Sequence, residues 1–396
     1  MAHIAWLGKK SPFCGNVTYG LSTTEALRRR GHTVSFIHFD TPAAGLGLLE
    51  PPRPEPALAT MAGGGEPDVT LPYLVKSQVY TIPSPGAQRE LRESLERLRP
   101  DLVHASLTLS PLDFRLPDLC QQLGLPLVAT FHPAFDAGLR NLAAGTQQLT
   151  YQLYAPSLAR YDRVIVFSDL QAGVLERLGV RPDRIAVIPN GVDETLWRPI
   201  GAAPSPAYRE LRERFAGRRI FLYMGRITTE KNVEALLRAW RLVRPEGCLL
   251  LIVGDGPLRG MLQSGGEADV IWWGIESCLE RRVALLQLAE VFLLPSLVEG
   301  LSLALLEAMA SGTACVATDA GADGQVLEGG AGIVIRTQGV TTQLRTLLPV
   351  LRDQPVLTAE LGRRARLRVQ ERYTLRANIA ALERLYREVI HQPVAA

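Results

Sequence analysis

Four charged residues in two short stretches could do chemistry in this chain. The first stretch is Glu299-Gly-Leu-Ser-Leu-Ala-Leu-Leu-Glu307, which follows the apolar run Val291–Pro295 and opens a helical pattern reaching Met309. A helix beginning near Leu301 leaves its first backbone N–H groups unpaired, and such groups hold phosphate oxygens. Gly300 lets the backbone approach a ligand closely. Glu299, just ahead of the helix, could accept hydrogen bonds from sugar hydroxyls, and Glu307, further along it, from a diol such as a ribose. The plainer alternative is that Glu299 caps the helix and Glu307 sits on a solvated face. The second stretch is Gly225-Arg-Ile-Thr-Thr-Glu-Lys231-Asn, directly after the apolar run ending at Met224. A strand, a glycine turn and two cations before a helix suit a diphosphate, with Arg226 as a bidentate fork and Lys231 as a point charge. Cations are mildly unfavourable at the positive end of a helix, so their presence there favours a ligand over a plain surface.

Three further turns are candidates. Val253-Gly254-Asp-Gly-Pro257 also stands at a strand end, and reads either as a ligand loop or as a plain turn. His132, in Phe131-His-Pro133, ends an N-terminal strand and could face a sugar; a structural histidine is the equal alternative. The first turn, Lys9 to Asn16 with Gly15, is not GxGxxG, so dinucleotide binding is poorly supported. HExxH, GxxxxGK[ST], GxSxG and a strict DxD are all missing from the sequence, so no metal-bridged ligand is suggested.

These turns need strands and helices to hold them. Apolar runs at His3–Leu7, Thr33–His38, Asp101–Ala105, Pro126–Thr130, Arg163–Phe167 and Ile185–Pro189 alternate with helical patterns, the first over Asn16–Arg30. A second set follows at Arg219–Met224, Cys248–Val253, Val270–Trp273, Val291–Leu294, Ala314–Thr318 and Gly332–Ile335, with helices starting near Asn232, Pro257, Leu279, Leu301 and Val340. Such alternation implies parallel sheets covered on both faces. We expect an α/β chain of two doubly wound, Rossmann-like domains facing a central cleft, with ligands beyond the carboxyl ends of the strands. The expected division is 1–196 for a first domain, 197–217 for a linker marked by Pro199, Pro204 and Pro206, and 218–374 for a second domain. A C-terminal helix over 375–396 is expected to pack back on the first domain. Thr41–Pro72, rich in Pro and Gly and containing the apolar Leu46-Gly-Leu-Leu49, breaks the pattern and reads as a surface insertion or an acceptor- or membrane-touching loop.

Composition narrows the classes. Across 396 residues 47% are hydrophobic, enough for two cores and against disorder. Net charge is +3, and Lys+Arg against Asp+Glu is 19 to 19 in residues 1–200 and 24 to 21 in the rest, so nucleic acid is not an expected partner. Cys14, Cys120, Cys248, Cys278 and Cys315 are odd in number, scattered and free of CxxC, which argues for a reducing compartment. MAHIAWLG reads as a first strand and not as a signal peptide, and no apolar run approaches the roughly 20 residues that span a bilayer. A cytoplasmic protein, or one peripheral to the cytoplasmic face of a membrane, is therefore expected. Only four lysines occur, at 9, 10, 76 and 231, so Lys231 stands alone among arginines in the last 320 residues.

The stretches YMGRITTEKN, LLLIVGDGPLR and VFLLPSLVEGLSLALLEAMASGTACVATD, with IAVIPNGVD at 185–193 and RVQERYTL near the end, resemble the GT-B glycosyltransferases of family 4. The resemblance covers essentially the whole chain and is specific in its C-terminal half, and it implies that 1–196 is the acceptor-side domain and 218–374 the nucleotide-sugar-binding domain. It implies a retaining, metal-independent transferase that takes a nucleoside-diphosphate sugar, usually UDP-linked, with no tightly bound cofactor. By position, Arg226 and Lys231 would bind the diphosphate, with Gly225 and Gly254 lining its turns. Glu299 would hold the donor sugar and Glu307 the ribose. Backbone amides of Gly300, Leu301, Ser302 and Leu303 would touch sugar and phosphate, and Trp273, Gly274 and Ile275 would lie near the base. His132 would face the donor sugar and Gly15 would line the phosphates. The implied mechanism is front-face substitution, with a leaving-phosphate oxygen as base. Departures are Gly15-Asn16 where relatives often have Gly-Gly, Ser302 where Gly is common, and Ala320-Gly-Ala-Asp-Gly-Gln325 in place of Gly-Gly-x-x-Glu. The N-terminal GKKSPFCGNVTYGLSTTEALRRRGHTVSFIHF is similar to bacterial digalactosyldiacylglycerol synthases, which implies galactose or glucose transfer to a glycolipid. On that reading Lys9, Lys10, Arg28, Arg29 and Arg30 could meet anionic lipid. A soluble sugar, sugar-phosphate or polysaccharide acceptor is the alternative, and a non-catalytic sugar-nucleotide-binding protein is a further one.

Overall fold

The computed structural model of the chain describes residues 1–11, 14–42, 68–77, 80–135 and 142–391. It divides into two compact units: Met1–Pro133 with Leu149–Pro189 and Asn378–Ala396, and Ala134–Gln148 with Asn190–Ala377.

The first unit begins with β1 (His3–Leu7), α1 (Gly15–Arg29) and β2 (Thr33–Pro42), then β3 (Val69–Lys76), β4 (Thr81–Pro83), α2 (Ala87–Leu98) and β5 (Leu102–Ser106). After these come α3 (Leu116–Leu123), β6 (Leu127–Thr130), α4 (Leu142–Leu158, in this unit from Leu149 onward), β7 (Arg163–Val166), α5 (Asp169–Arg177) and β8 (Ile185–Val187). The sheet order is β4-β3-β2-β1-β5-β6-β7-β8, parallel throughout except for β4 against β3. All five residues of β5 are buried. Because side chains alternate between faces, both faces of this strand are covered.

β3 begins inside the expected Thr41–Pro72 insertion, and β4 follows beyond it. Pro72 sits inside β3, and a proline cannot donate to a sheet ladder. Here its carbonyl accepts from Ser84 N instead, at 3.1 Å. Within the expected Thr41–Pro72 insertion, Thr41–Pro42 closes β2 and Val69–Pro72 opens β3; residues 43–67, Leu46–Leu49 among them, lie outside the described residues. The basic groups assigned to lipid contact have intramolecular partners. Lys9 is 5% exposed, Lys10 pairs with Asp68, Arg28 donates to Val34 O, Arg29 pairs with Glu25 and Arg30 with Glu383.

The second unit contains α6 (Pro206–Arg214), β9 (Arg219–Met224), α7 (Val233–Val243), β10 (Cys248–Val253), α8 (Arg259–Gln263), β11 (Val270–Gly274) and α9 (Leu279–Leu288). It continues with β12 (Val291–Leu294), α10 (Leu303–Ala310), β13 (Ala314–Thr318), α11 (Asp323–Val326), β14 (Ile333–Ile335), α12 (Val340–Asp353) and α13 (Pro355–Arg372). The stretch 197–217, read from its prolines as linker, holds α6: Ser205 caps that helix by accepting from Tyr208 N, and Pro206 opens it. All strands run parallel in the order β11-β10-β9-β12-β13-β14. The strand order reverses between β9 and β12, and in open sheets of this kind ligands bind beyond the carboxyl ends of the strands at that reversal. The two segments there are 225–232, after β9, and 295–302, after β12. They are the two stretches singled out for chemistry.

A last helix, α14 (Leu375–His391), has its residues from Asn378 onward in the first unit. Its Tyr386 lies 2.5 Å from His104 Nδ1 of β5, and its Glu383 meets Arg30 and His32. Among the described residues no helix is long and apolar enough to cross a membrane.

Candidate functional site

The loops beyond β9 and β12 are tied directly to each other. Leu297 N donates to Glu230 O at 2.8 Å, and Asn232 Nδ2 donates to Pro295 O at 3.2 Å. Asn232 adopts the left-handed conformation (φ 53°) that ends the short turn Thr229–Lys231 and starts α7; asparagine tolerates that conformation better than most residues. The turn carries Lys231 to Glu299, with Nζ 2.5 Å from Oε1. Ser296 Oγ donates to the same oxygen at 2.8 Å. Glu299 is 6% exposed. Its charge is therefore held by an ammonium and a hydroxyl, as a buried carboxylate requires. Arg226 stands on the same loop, one-third exposed and paired with Glu230 at 3.1 Å. Its carbonyl accepts from Tyr223 OH at 2.5 Å.

Gly225 and Gly254 are placed by close backbone approach. Gly225 N donates to Val253 O at 2.9 Å, and Gly254 N to Gly274 O at 2.7 Å. Gly254 has φ 134°, and a Cβ there would fall on the Gly225 carbonyl oxygen, so glycine is required. The loops after β9, β10 and β11 thus meet side by side. Trp273 donates from Nε1 to Glu276 at 3.0 Å and has the Arg214 guanidinium 5.0 Å above its ring. Ile275 is exposed.

The segment 299–303 is held by its carbonyls. Glu299 O accepts from Phe135 N at 2.8 Å and Gly300 O from Ala322 N at 2.9 Å; Leu301 O accepts from Asn190 Nδ2 at 2.8 Å. In a trans peptide the N–H points opposite the carbonyl, so these three bonds also fix where the next three amides aim. The amide of Ser302 is taken, because it donates to Asp323 Oδ1 at 2.9 Å. Ser302 Oγ in turn accepts from Leu305 N, capping α10. Among the described residues, nothing accepts from the amides of Leu303 and Ala304. The open donors at this helix start are consequently those two, and Ser302 contributes a cap in place of a free amide.

Glu307 is 4% exposed and no solvated face residue. Arg282 Nη2 donates to both its oxygens, at 3.3 and 3.2 Å, and the same guanidinium lies 5.3 Å from the Trp197 ring. Burial pushes the Glu307 carboxyl up, and Arg282 opposes that shift.

Asp323, Asn190 and Arg282 are the parts that motif reading does not supply. Asp323 belongs to the departing segment Ala320–Gln325, which marks the place without giving the role. Its Oδ2 is buried with no partner among the described residues. Burial first, and then the Glu299 charge, push this carboxyl well above the usual carboxylate range. An acid raised in this way binds its proton more tightly in the folded chain. Its ionisation therefore erodes stability as pH climbs from the unfolded value of about 3.9 towards the folded one. Asp323→Asn keeps an oxygen for Ser302 N and removes that penalty. Thermal melts are expected to show the variant level with wild type near about pH 4 and increasingly more stable towards about pH 8; a constant difference across that range contradicts the assignment.

Gly15 and His132 belong to the first unit. Gly15 opens α1, and a Cβ there would meet no atom of the described residues within 4 Å. His132 lies just past β6, with Nε2 2.8 Å from Ser106 Oγ. Burial, and then Lys9, hold its imidazole down to about 3, so it is neutral at physiological pH.

Comparison with known proteins agrees with this architecture. A family model described as "Glycosyltransferase Family 4" matches residues 15–196, and one described as "Glycosyl transferases group 1" matches 218–353. The chain is similar to the alpha-maltose-1-phosphate synthase of Mycolicibacterium smegmatis, 31% identical over 67% of this chain and 74% of that one. It is also similar to the UDP-Gal:alpha-D-GlcNAc-diphosphoundecaprenol alpha-1,3-galactosyltransferase of Escherichia coli, 30% identical over 37% of this chain and 39% of that one. In structure it resembles Anabaena Alr3699/HepE, solved with UDP-glucose: TM-score 0.74, 18% identity, covering 97% of this chain and 99% of that chain. The two linked sheets, the loops joined at the strand-order reversal and these matches together place the chain in family 4 of the GT-B glycosyltransferases.

Proposed function

We propose that this protein transfers a hexosyl group, galactose or glucose, from a UDP-sugar to a glycolipid acceptor, with retention of anomeric configuration and without a required metal. The observation that carries the donor half is the Lys231–Glu299 pair, 2.5 Å apart and only a few residues from the open amides of Leu303 and Ala304. An ammonium and free helix-start amides suit a diphosphate. On this reading the donor's phosphate takes over Lys231, and Glu299 turns its freed oxygen to the sugar hydroxyls. As the nucleoside diphosphate departs, its charge grows and these contacts strengthen, which lowers the barrier. The leaving phosphate oxygen takes the acceptor proton, so no protein nucleophile is needed. Arg226, one-third exposed and paired with Glu230, exchanges that partner for the phosphates on this reading.

The glycolipid half is supported by α4, which has no charged residue and exposes Leu142, Leu149 and Leu153. A relative's printed name specifies a lipid-linked diphosphate acceptor. The name of another specifies a maltose-1-phosphate product, which supports a soluble sugar or sugar-phosphate acceptor as the second reading.

The test is a matrix of UDP-glucose, UDP-galactose and other nucleotide sugars against galactosyl-diacylglycerol vesicles, soluble sugars and sugar phosphates. Free UDP reports turnover and NMR of the product reports the anomer. The expected result is an α-linked product on lipid from one UDP-hexose. Inverted product, or UDP release with soluble acceptors alone, overturns the corresponding part. Donor binding without turnover on any acceptor makes the protein a sugar-nucleotide binder.

A further inference from the structure

Asn16 stands in the first turn of α1, where glycine is common in the resembling family. Its side chain bridges two parts of the first unit at that sheet's own strand-order reversal, between β1 and β5. Asn16 Nδ2 donates to Leu107 O at 3.1 Å. A carbonyl can only accept, so this bond fixes the amide group and leaves Oδ1 towards Ser106. Ser106 Oγ donates to that Oδ1 at 2.8 Å. A hydroxyl has a single proton, and here it is committed. Towards His132, whose Nε2 is 2.8 Å away, Ser106 can only accept. The proton of a neutral His132 must therefore sit on Nε2, leaving Nδ1 with a bare lone pair.

The ring is also held in place. Tyr19 meets it edge-on at 4.9 Å and Phe167 lies 5.3 Å away. No described residue provides a partner for Nδ1, and Nδ1 is not among the buried unpaired atoms. The imidazole thus offers an open acceptor.

We propose that Asn16 and Ser106 are positioning residues that lock His132 in its Nε2–H tautomer, so that Nδ1 accepts a hydrogen bond from a substrate hydroxyl. The chain Leu107 O, Asn16, Ser106, His132 is directional: a proton donor sits at each step and the free end is an acceptor. Such an end discriminates for a hydroxyl and against a bare carbonyl or ether oxygen. The ligand half of this inference rests on the glycosyl-transfer reading, whereas the tautomer half does not.

The test uses the full chain with 15N-labelled histidine and long-range proton–nitrogen correlation spectra, with His132→Gln identifying the His132 signals. Wild type is expected to show the Nε2–H pattern near neutral pH. Asn16→Ala frees the Ser106 hydroxyl to donate or accept, and is expected to convert that pattern to a mixture. It is also expected to lower kcat/KM by about 3- to 10-fold, as the loss of one neutral hydrogen bond does. Asn16→Asp still accepts from Ser106 and is expected to retain the wild-type tautomer, which covers the case in which the alanine variant does not fold. An Nδ1–H or doubly protonated His132 in wild type overturns the proposal, as does a pattern unmoved by Asn16→Ala. If the spectra behave as expected while no nucleotide sugar is turned over, the tautomer lock stands and the transfer reading fails.

Discussion

Replacing Lys231 by alanine is expected to lower kcat/KM for nucleotide-sugar turnover by about 10²–10³-fold, the loss typical of deleting one preorganised donor to a developing negative charge. The ammonium is 16% exposed and its recorded partner is Glu299. Removal also leaves two acids, Glu299 and Asp323, close together without their cation; Asp323 already feels both groups, its carboxyl pushed up by burial and by Glu299 and drawn down by Ser302 N and Lys231. The single variant should consequently lose stability as well as activity, which by itself would not distinguish a binding role from a structural one. Lys231→Ala combined with Glu299→Gln separates the two. The pair of substitutions removes the uncompensated charge, so the melting temperature is expected to return most of the way to the wild-type value while turnover stays as low as in the single variant. Recovery of activity together with stability would mean that Lys231 serves only to neutralise Glu299, and the diphosphate assignment would fail. Free-UDP release and thermal melts on the three proteins decide the matter.

Lys231 was visible in the sequence because it is chemically out of place. It is a lone lysine among arginines, at a strand end where a helix start disfavours cations. The strands around it were visible for a different reason. Arg219–Met224, Cys248–Val253, Val291–Leu294 and Ala314–Thr318 run with the same bounds in sequence and structure. A parallel strand buried on both faces is an uninterrupted apolar run with turn residues at each end. Where that pattern is broken, reading fails. Pro72 hides β3, and Ser205-Pro206 resembles linker although it is a helix cap followed by a favoured first residue. The site shows the same divide. Glu299, Lys231 and the glycines lie in contiguous stretches whose residue types announce anion binding. Asn190 reaches Leu301 across 111 positions and Asp323 reaches Ser302 across 21. Arg282 reaches Glu307 across 25. These partners are chosen by the packing of loops beyond separate strands, and no local periodicity encodes such a pairing. Ser302 illustrates the point: the resemblance implied its amide as a contact for sugar and phosphate, whereas in the structure that amide donates to Asp323 Oδ1.

Glu307→Ala is expected to lower the melting temperature by roughly 10 °C, which follows from about 3–5 kcal/mol for breaking a buried ion pair on one side. The loss comes from what remains. Arg282, 15% exposed and seated over the Trp197 ring, keeps its charge with neither carboxylate oxygen to receive it. Removing both partners is a smaller perturbation than removing one. Arg282→Met with Glu307→Leu replaces the pair by apolar groups of similar size and is expected to regain most of the stability, because buried ion pairs contribute little over well-packed hydrocarbon. Function is expected to divide the same variants differently. If Glu307 holds the ribose diol, both Glu307→Ala and the apolar double variant lose donor affinity by about tenfold or more, whatever their melting temperatures. Glu307→Gln, which keeps one acceptor for Arg282, is expected to melt nearer to wild type and still bind UDP more weakly, since an amide offers one accepting oxygen where the carboxylate offers two. Calorimetric titration with UDP across the four proteins checks this ordering. A stable double variant that binds UDP as wild type does would confine Glu307 to holding Arg282 in place, and the ribose contact would have to come from another residue.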